Sequence, residues 1–467
     1  MHIREIPWLE PVDAADRLKP LGGLSFLDSA MRHDQLGRYS YVAADPFGTL
    51  AVRDGVASWN NQPLDIGPLE ALSRYLELYR LEDRADLPPF HGGAIGYFSY
   101  EFGRLLEDLP EPLKQSQGDV PDAIWSFYDV VLAFDHLRQQ VWLVSSGLPE
   151  LAGEKRAVRA GERARMALSA LESPPPTQSS LRPRIARKVW QSNFEREAYM
   201  QAVAKVVEYI LDGDIFQANI AQRFIADLPE NYPVWSFYKA LRQRNAATFA
   251  AYIEHDDLVI ASSSPERFLS VRGRDVQTRP IKGTVPRSAD PDIDQRNAET
   301  LLASEKDRAE NLMIVDLMRN DLSRVCNPHS VLTPVLCGLE SYASVHHLVS
   351  VVTGRLAEER SLPDLIRAAF PGGSITGAPK LRAMEIITEI EKVARGIYCG
   401  SIGFFGFNGH MDTNIAIRTV LFQGGKAVFQ AGGGITALSD PAAEYQETLD
   451  KAVRIFDVFD MAGDVGS

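Results

Sequence analysis

The chain has 467 residues, of which 45% are apolar and 24% charged, ordinary proportions for a soluble globular protein and enough length for two or three domains or one large one. A formal net charge of −13 repels phosphate backbones and argues against a nucleic-acid partner, so an anionic ligand must be met by local cations, a metal or backbone N–H groups. Cys326, Cys337 and Cys399 lack CxxC spacing, and neither an apolar leader nor a run of 18 apolar residues is present, so a reduced, cytosolic protein with no membrane partner is expected.

The first 150 residues read as strand-rich. Residues 38–43 form one strand, and 50–53 with 56–59 form a hairpin closed by Asp54-Gly55, a pair that tolerates the positive φ of a two-residue turn. Residues 127–134 and 140–144 suggest a further antiparallel pair. The glycines of 92–98 sit in an apolar stretch and imply close backbone packing or bulges, since no GxxxxGK[ST] phosphate loop is present. A helical segment over 150–171 then meets three consecutive prolines within 172–180, which a helix cannot continue through. This places an amino-terminal region at 1–171, a linker at 172–184 and a second region at 185–467.

The second region opens with a helix started by a capping box, Ser192 with Glu195, and carrying Tyr199, Val203, Val206 and Ile210 on one face. It stops at Asp212-Gly213-Asp214. A strand-like run over 215–224 holds Gln217 and Gln222 among apolar neighbours. Residues 258–264 lead into Pro265-Glu266, and 268–272 with 275–279 read as a hairpin around Gly273-Arg274, which puts Lys282 where a strand runs out into a loop. A helix over 303–325 carries Glu310. His346 and His347 precede the β-branched run 348–353, and the loop 371–380 feeds a helix with Pro379 in its first turn. Strands over 398–407 and 414–422, the second including Arg418, precede the triglycine Gly432, Gly433 and Gly434. The last helix starts at Asp440-Pro441 and sets Glu444, Glu447 and Lys451 above an apolar face.

Residue chemistry leaves several readings open. Glu310 and Glu447 each have a lysine four residues away, Lys306 and Lys451, so they suit surface ion pairs; they equally suit a Mg²⁺ site, which needs only one or two protein carboxylates. The triglycine fits a bulged strand or a stretch of N–H groups open to a ligand carboxylate. Arg418 fits a rim ion pair or a carboxylate clamp. His347 fits a satisfied core histidine.

The order of these motifs is more specific than any one of them. Pro265-Glu-Arg-Phe268, Pro280-Ile-Lys-Gly-Thr284, the 306–321 segment with Glu310, His347-Leu-Val-Ser350, the 371–380 loop, Ala431-Gly-Gly-Gly-Ile435 and Glu444-Tyr-Gln-Glu-Thr448 closely resemble the chorismate-binding enzymes across about residues 190–460. Arg38-Tyr-Ser-Tyr41 and Gly92-Gly-Ala-Ile-Gly-Tyr97 resemble the amino-terminal half of the same family. Where the water-using isochorismate and salicylate synthases carry a lysine base, this chain has Gln217. Where anthranilate-forming large subunits have alanine, it has Lys282, which resembles the branch that forms 4-amino-4-deoxychorismate for the folate pathway.

The resemblance implies an α+β fold, with two large antiparallel sheets packed as a sandwich and helices outside. It implies a Mg²⁺-dependent amination of chorismate: Glu310 and Glu447 as metal ligands; Thr284, Tyr398, Arg418, Gly432, Gly433, Gly434 and Lys451 as substrate contacts; Lys282 as nucleophile, Glu266 as general acid and His347 in the catalytic set. Such a lysine must be neutral, and at an ordinary pKa near 10.4 only about one in 2,500 is free amine at pH 7. Glu266 must instead hold its proton. No cysteine lies in an amidotransferase-like elbow, so ammonia is expected from a separate glutaminase subunit in a heterodimer. An anthranilate-forming subunit and a non-catalytic assembly protein on the same fold are the rival readings. Leu27-Asp-Ser29 resembles the start of the family's tryptophan pocket, but residues 245–252 depart from the feedback-inhibited pattern.

Overall fold

Residues 127–134, one strand by their apolar pattern, prove to be parts of two. The chain leaves Ala123–Tyr128 in one sheet, turns at Asp129 and enters Val130–Asp135 in the other. Asp129 is fully buried and accepts hydrogen bonds from Arg163 at 2.9 and 3.2 Å. A buried carboxylate requires such a charged donor, and the Gly153–Glu172 helix supplies it. The expected pairing of the second piece with Gln140–Ser145 is present.

The computed structural model describes residues 1–31, 36–110, 120–174, 182–342 and 345–461. It contains two twelve-stranded antiparallel sheets and, among the described residues, ten α-helices. The sheets meet through Tyr41, Val131, Ala133, Ile253 and Ile260 of one and Ile95, Tyr97, Ile124, Ile402 and Phe404 of the other. The opposite face of the first sheet, with Val130, Leu132 and Phe134, packs with residues of the Pro11–Leu18, Val234–Arg244 and Pro441–Asp460 helices. Burial on both faces explains why these strands are apolar without alternation. No helix among the described residues is long and apolar enough to cross a membrane.

In the first sheet the strands of the amino-terminal half lie together, and Ser25–Asp28 pairs with Phe249–His255 of the second half. In the second sheet the corresponding pairing joins Gly93–Phe98 to Ser401–Gly406, with Gly96 opposite Gly403. The close packing expected of these glycines is real: a Cβ on Gly96 would lie 1.9 Å from the Ile124 carbonyl oxygen.

Several local expectations change. The Ser192–Glu195 capping box does not form; Ser192 lies in the short strand Gln191–Ser192, its hydroxyl donates to Gln222 Oε1 at 2.9 Å, and the helix starts at Arg196. The 303–325 helix is two, Pro291–Ala303 and Glu305–Ser323, separated by Ser304, whose side chain accepts from the Asp307 N–H. Pro379 stands at the N-cap of Lys380–Glu391 rather than inside its first turn. The 414–422 strand is interrupted: Met411–Asn414 and Thr419–Gln423 flank a bend in which Arg418 takes the left-handed φ of 51°. Of the expected linker, residues 175–181 lie outside the described residues.

Candidate active site

Two strands of the first sheet and two of the second enclose a cavity of about 500 Å³, walled further by the Glu305–Ser323 and Pro441–Asp460 helices. The strands are Gln217–Asp227, Lys426–Ile435, Ile281–Pro286 and Val345–Arg355. Lys282, Glu266, His347, Thr284, Tyr398, Arg418, Gly432, Gly434, Lys451, Glu310 and Glu447 all line it. Gly433 alone of the expected set does not. It faces the last helix, where a Cβ would come within 3.2 Å of carboxylate oxygens of both Glu444 and Glu447.

Lys282 is not in a loop. It lies within the Ile281–Pro286 strand, at an irregularity in the pairing with Val345–Arg355, where Gly283 takes a φ of +76°. Such a bulge re-aims the side chain. Lys282 Nζ is 3.7 Å from Glu310 Oε2, and both side chains are largely buried. Glu266, 5% exposed, follows the strand Leu258–Ser264. Burial pushes its carboxyl up to about 7, against the opposing pull of the Ser374 hydroxyl, Lys282, the Ile281 N–H and Arg418. His347 is brought down to about 4, by burial first and then by Arg418, so it is neutral at physiological pH; its Nδ1 lies 2.8 Å from Thr284 Oγ1. Burial and Arg454 lower Arg418 to about 10, which leaves it cationic.

The triglycine is a regularly paired strand, not a bulge: Ala221, Ile220 and Asn219 stand opposite Gly432, Gly433 and Gly434. Asn219 and Ala221 send their N–H groups away from the glycines, to the Thr376 carbonyl and to Glu391. In an antiparallel pair the residues opposite must then also direct their peptide groups outward. Lys451 Nζ meets the Gly432 carbonyl at 2.9 Å on that side.

Glu310 and Glu447 bring two carboxylates to the cavity, each with a lysine beside it: Lys282 for the first, and Lys451 at 2.5 Å for the second. Burial would raise the Glu447 carboxyl, but Lys451, Lys306 and Lys282 outweigh it and hold it low. Two carboxylates lining one cavity offer hard oxygen donors that fit Mg²⁺, which needs only one or two from the protein; among the described residues no group of three metal-ligating side chains converges. Ser374, Asp307 and Asn219, outside the expected set, also line the cavity, as does Lys306, read from the sequence only as an ion-pair neighbour of Glu310; Glu444, read only as part of the last helix, is buried behind Glu447 and held by Ser439 at 2.6 Å. Ser374, Lys306, Asp307 and Glu444 all stand inside the motifs that carry the family resemblance.

A larger cavity of about 760 Å³ contains Leu27, Asp28, Ser29 and residues 248–251 together with Arg267, Arg272 and Asp412. It thus joins the two stretches compared with the tryptophan pocket. None of the candidate catalytic groups lines it; all of them but Gly433 line the smaller cavity.

Comparison with known proteins agrees with this geometry. The chorismate binding enzyme family matches residues 29–457. Aminodeoxychorismate synthase component 1 of Klebsiella aerogenes is 46% identical over 459 residues, covering 96% of this chain and 97% of the relative. The protein of the same name from Escherichia coli (strain K12) is 42% identical over 458 residues, 95% of each chain. Among solved structures, anthranilate synthase component I from Streptococcus pneumoniae TIGR4 superposes with a TM-score of 0.81 at 31% identity, covering 91% of this chain and 94% of that one. With a family match over most of its length and full-length relatives above 40% identity, this chain belongs to the chorismate-binding enzymes.

Proposed function

We propose that this chain is the large subunit of an aminodeoxychorismate synthase, converting chorismate and ammonia to 4-amino-4-deoxychorismate in the cytoplasmic route to p-aminobenzoate and folate. The observation that carries the reading is Lys282: a primary amine inside the cavity, beside Glu310 and acting on the same space as the proton-holding Glu266. Full-length relatives of that name support it.

The residues divide the work by charge. Arg418, Lys451, Thr284, Tyr398 and the outward peptide groups of Gly432 and Gly434 hold the oxygens of the dianionic substrate. Glu310 and Glu447 would hold Mg²⁺, which would supply positive charge to balance a substrate carboxylate. Glu266 gives its proton to the 4-hydroxyl, which leaves as water as the Lys282 Nζ–C2 bond forms and both ring double bonds shift, from C1–C2 and C5–C6 to C1–C6 and C4–C5. Ammonia then bonds to C4, the two double bonds return as the C2–Nζ bond breaks and frees the Lys282 amine, and the new C4 ammonium gives a proton back to Glu266. His347, neutral, orients Thr284. Burial pushes the thiols of Cys326 and Cys399 up to about 11 and 12, which suits neither to glutamine hydrolysis and supports a separate glutaminase as the source of ammonia.

The test is to incubate the purified chain with chorismate, Mg²⁺ and ammonium and to identify the product. 4-Amino-4-deoxychorismate is expected, with glutamine active only after the partner subunit is added. In the absence of ammonia, mass spectrometry should find chorismate-derived mass on Lys282. Anthranilate as the product, or full turnover in Lys282→Ala, would refute the reading.

A further inference from the structure

Asn219 lies on the cavity wall, 8% exposed, and its amide oxygen is buried without a hydrogen-bond partner among the described residues. An acceptor left in that state costs stability, so it calls for a reason. The backbone of Asn219 is held on both sides: its N–H donates to the Thr376 carbonyl at 2.7 Å, and its carbonyl accepts from Arg395 Nη2 at 2.7 Å. Ala218 and Ile220 point the other way, into the apolar cluster under the Arg196–Leu211 and Lys380–Glu391 helices. Strand alternation therefore turns Asn219 to the face it shares with Gln217.

That face adjoins the reactive amine. A Cβ on Gly434, directly opposite Asn219, would lie 2.1 Å from Gln217 Nε2 and 3.4 Å from Lys282 Nζ. The Gln217 amide oxygen also lacks a partner among the described residues. Two amide oxygens thus wait for donors at one edge of the site, in the neighbourhood of Lys282.

The donor can be a water or a ligand that enters the cavity. Chorismate presents carboxylates and an ether oxygen, which only accept, and one hydroxyl, which leaves as water before ammonia adds in the reading above. Ammonia brings three N–H groups and is small enough to stand beside the ring. We propose that Asn219 is a nucleophile-binding residue, its Oδ1 accepting an N–H of ammonia and leaving the nitrogen lone pair free to attack. An amide oxygen takes up no proton at neutral pH, so the same contact gives water no general base.

This inference rests on the amination reading and deepens it. The experiment is steady-state kinetics on the purified chain with Mg²⁺, saturating chorismate, a fixed pH and ammonium chloride as the varied amine. Asn219→Leu keeps the side-chain shape and removes both polar ends. The KM for ammonium should rise about tenfold, the scale of one lost hydrogen bond to a small ligand, while the KM for chorismate stays within about twofold. Asn219→Ser, polar but too short to reach, should show the same split and reports in place of the leucine variant if that one does not fold. An unchanged ammonium KM, or a rise in the chorismate KM of equal size, would overturn the assignment. Failure of the parent chain to aminate chorismate at all would instead overturn the proposed function.

Discussion

Glu266→Gln offers a measurement of the proposed acid that does not depend on turnover. The carboxyl of Glu266 stands at about 7 against an ordinary 4.5, chiefly because it is buried. At 1.36 kcal/mol for each factor of ten, the protonated form supports the fold by about 3 kcal/mol more than the ionised form does. The folded state binds this proton more tightly than the unfolded chain, so the contribution is fully present below pH 4.5 and is lost as pH rises through 7. Glutamine is uncharged at every pH. In urea unfolding at 25 °C, the free-energy difference between Glu266→Gln and the parent should therefore move in the variant's favour by about 3 kcal/mol between about pH 4.5 and about pH 8.5. The parent's turnover should fall as pH rises above about 7, while the variant has little turnover at any pH. A difference constant to within about 1 kcal/mol across the range would refute the buried, proton-holding acid and with it the role assigned to Glu266.

Three further substitutions test other parts of the site. Glu310→Gln and Glu447→Gln should each lower turnover by at least about a hundredfold, since metal-borne charge stabilisation is worth several kcal/mol, and each should raise the Mg²⁺ concentration needed for half-maximal rate. Unchanged Mg²⁺ dependence in both variants would exclude them as ligands. Arg395 and Glu391, each 1% exposed at the side chain and paired at 2.6 Å, tie the cavity wall together, because Arg395 also donates to the Ile375 and Asn219 carbonyls. Arg395→Met leaves a buried carboxylate unpaired and should cost about 3–5 kcal/mol in chemical denaturation, with much of the loss recovered when Glu391 is made methionine as well.

The site was far more legible in the chain than its local structure. Glu266, Lys282, Glu310, Arg418 and Glu447 are separated by up to 181 positions and yet line one space, because their identification rested on ordered motifs rather than on the shape of any element. Local pattern did less well wherever tertiary packing decided. The apolar run at 127–134 gives no hint that Asp129 will be claimed by an arginine from a later helix. Ser192 has the spacing of a capping box, but its hydroxyl is taken by Gln222 across a strand pairing. The left-handed turn at Arg418 interrupts what alternation reads as a continuous strand, and Gly433 differs in role from its neighbours only because the pleat of a paired strand alternates. Asn219 escaped notice because an unpaired acceptor is a property of surroundings, and surroundings appear only once the wall is built.

The two places where the halves of the chain pair, Ser25–Asp28 with Phe249–His255 and Gly93–Phe98 with Ser401–Gly406, act as seams sewn once into each sheet. Neither half can close its own edges, since each seam would become a bare row of peptide donors and acceptors. The cavity draws its lining residues entirely from the later half, while both sheets that wall it run on into strands of the earlier one. In that sense the amino-terminal strands stand to the cavity as a template does, adding none of its lining residues and extending the sheets from which those residues project.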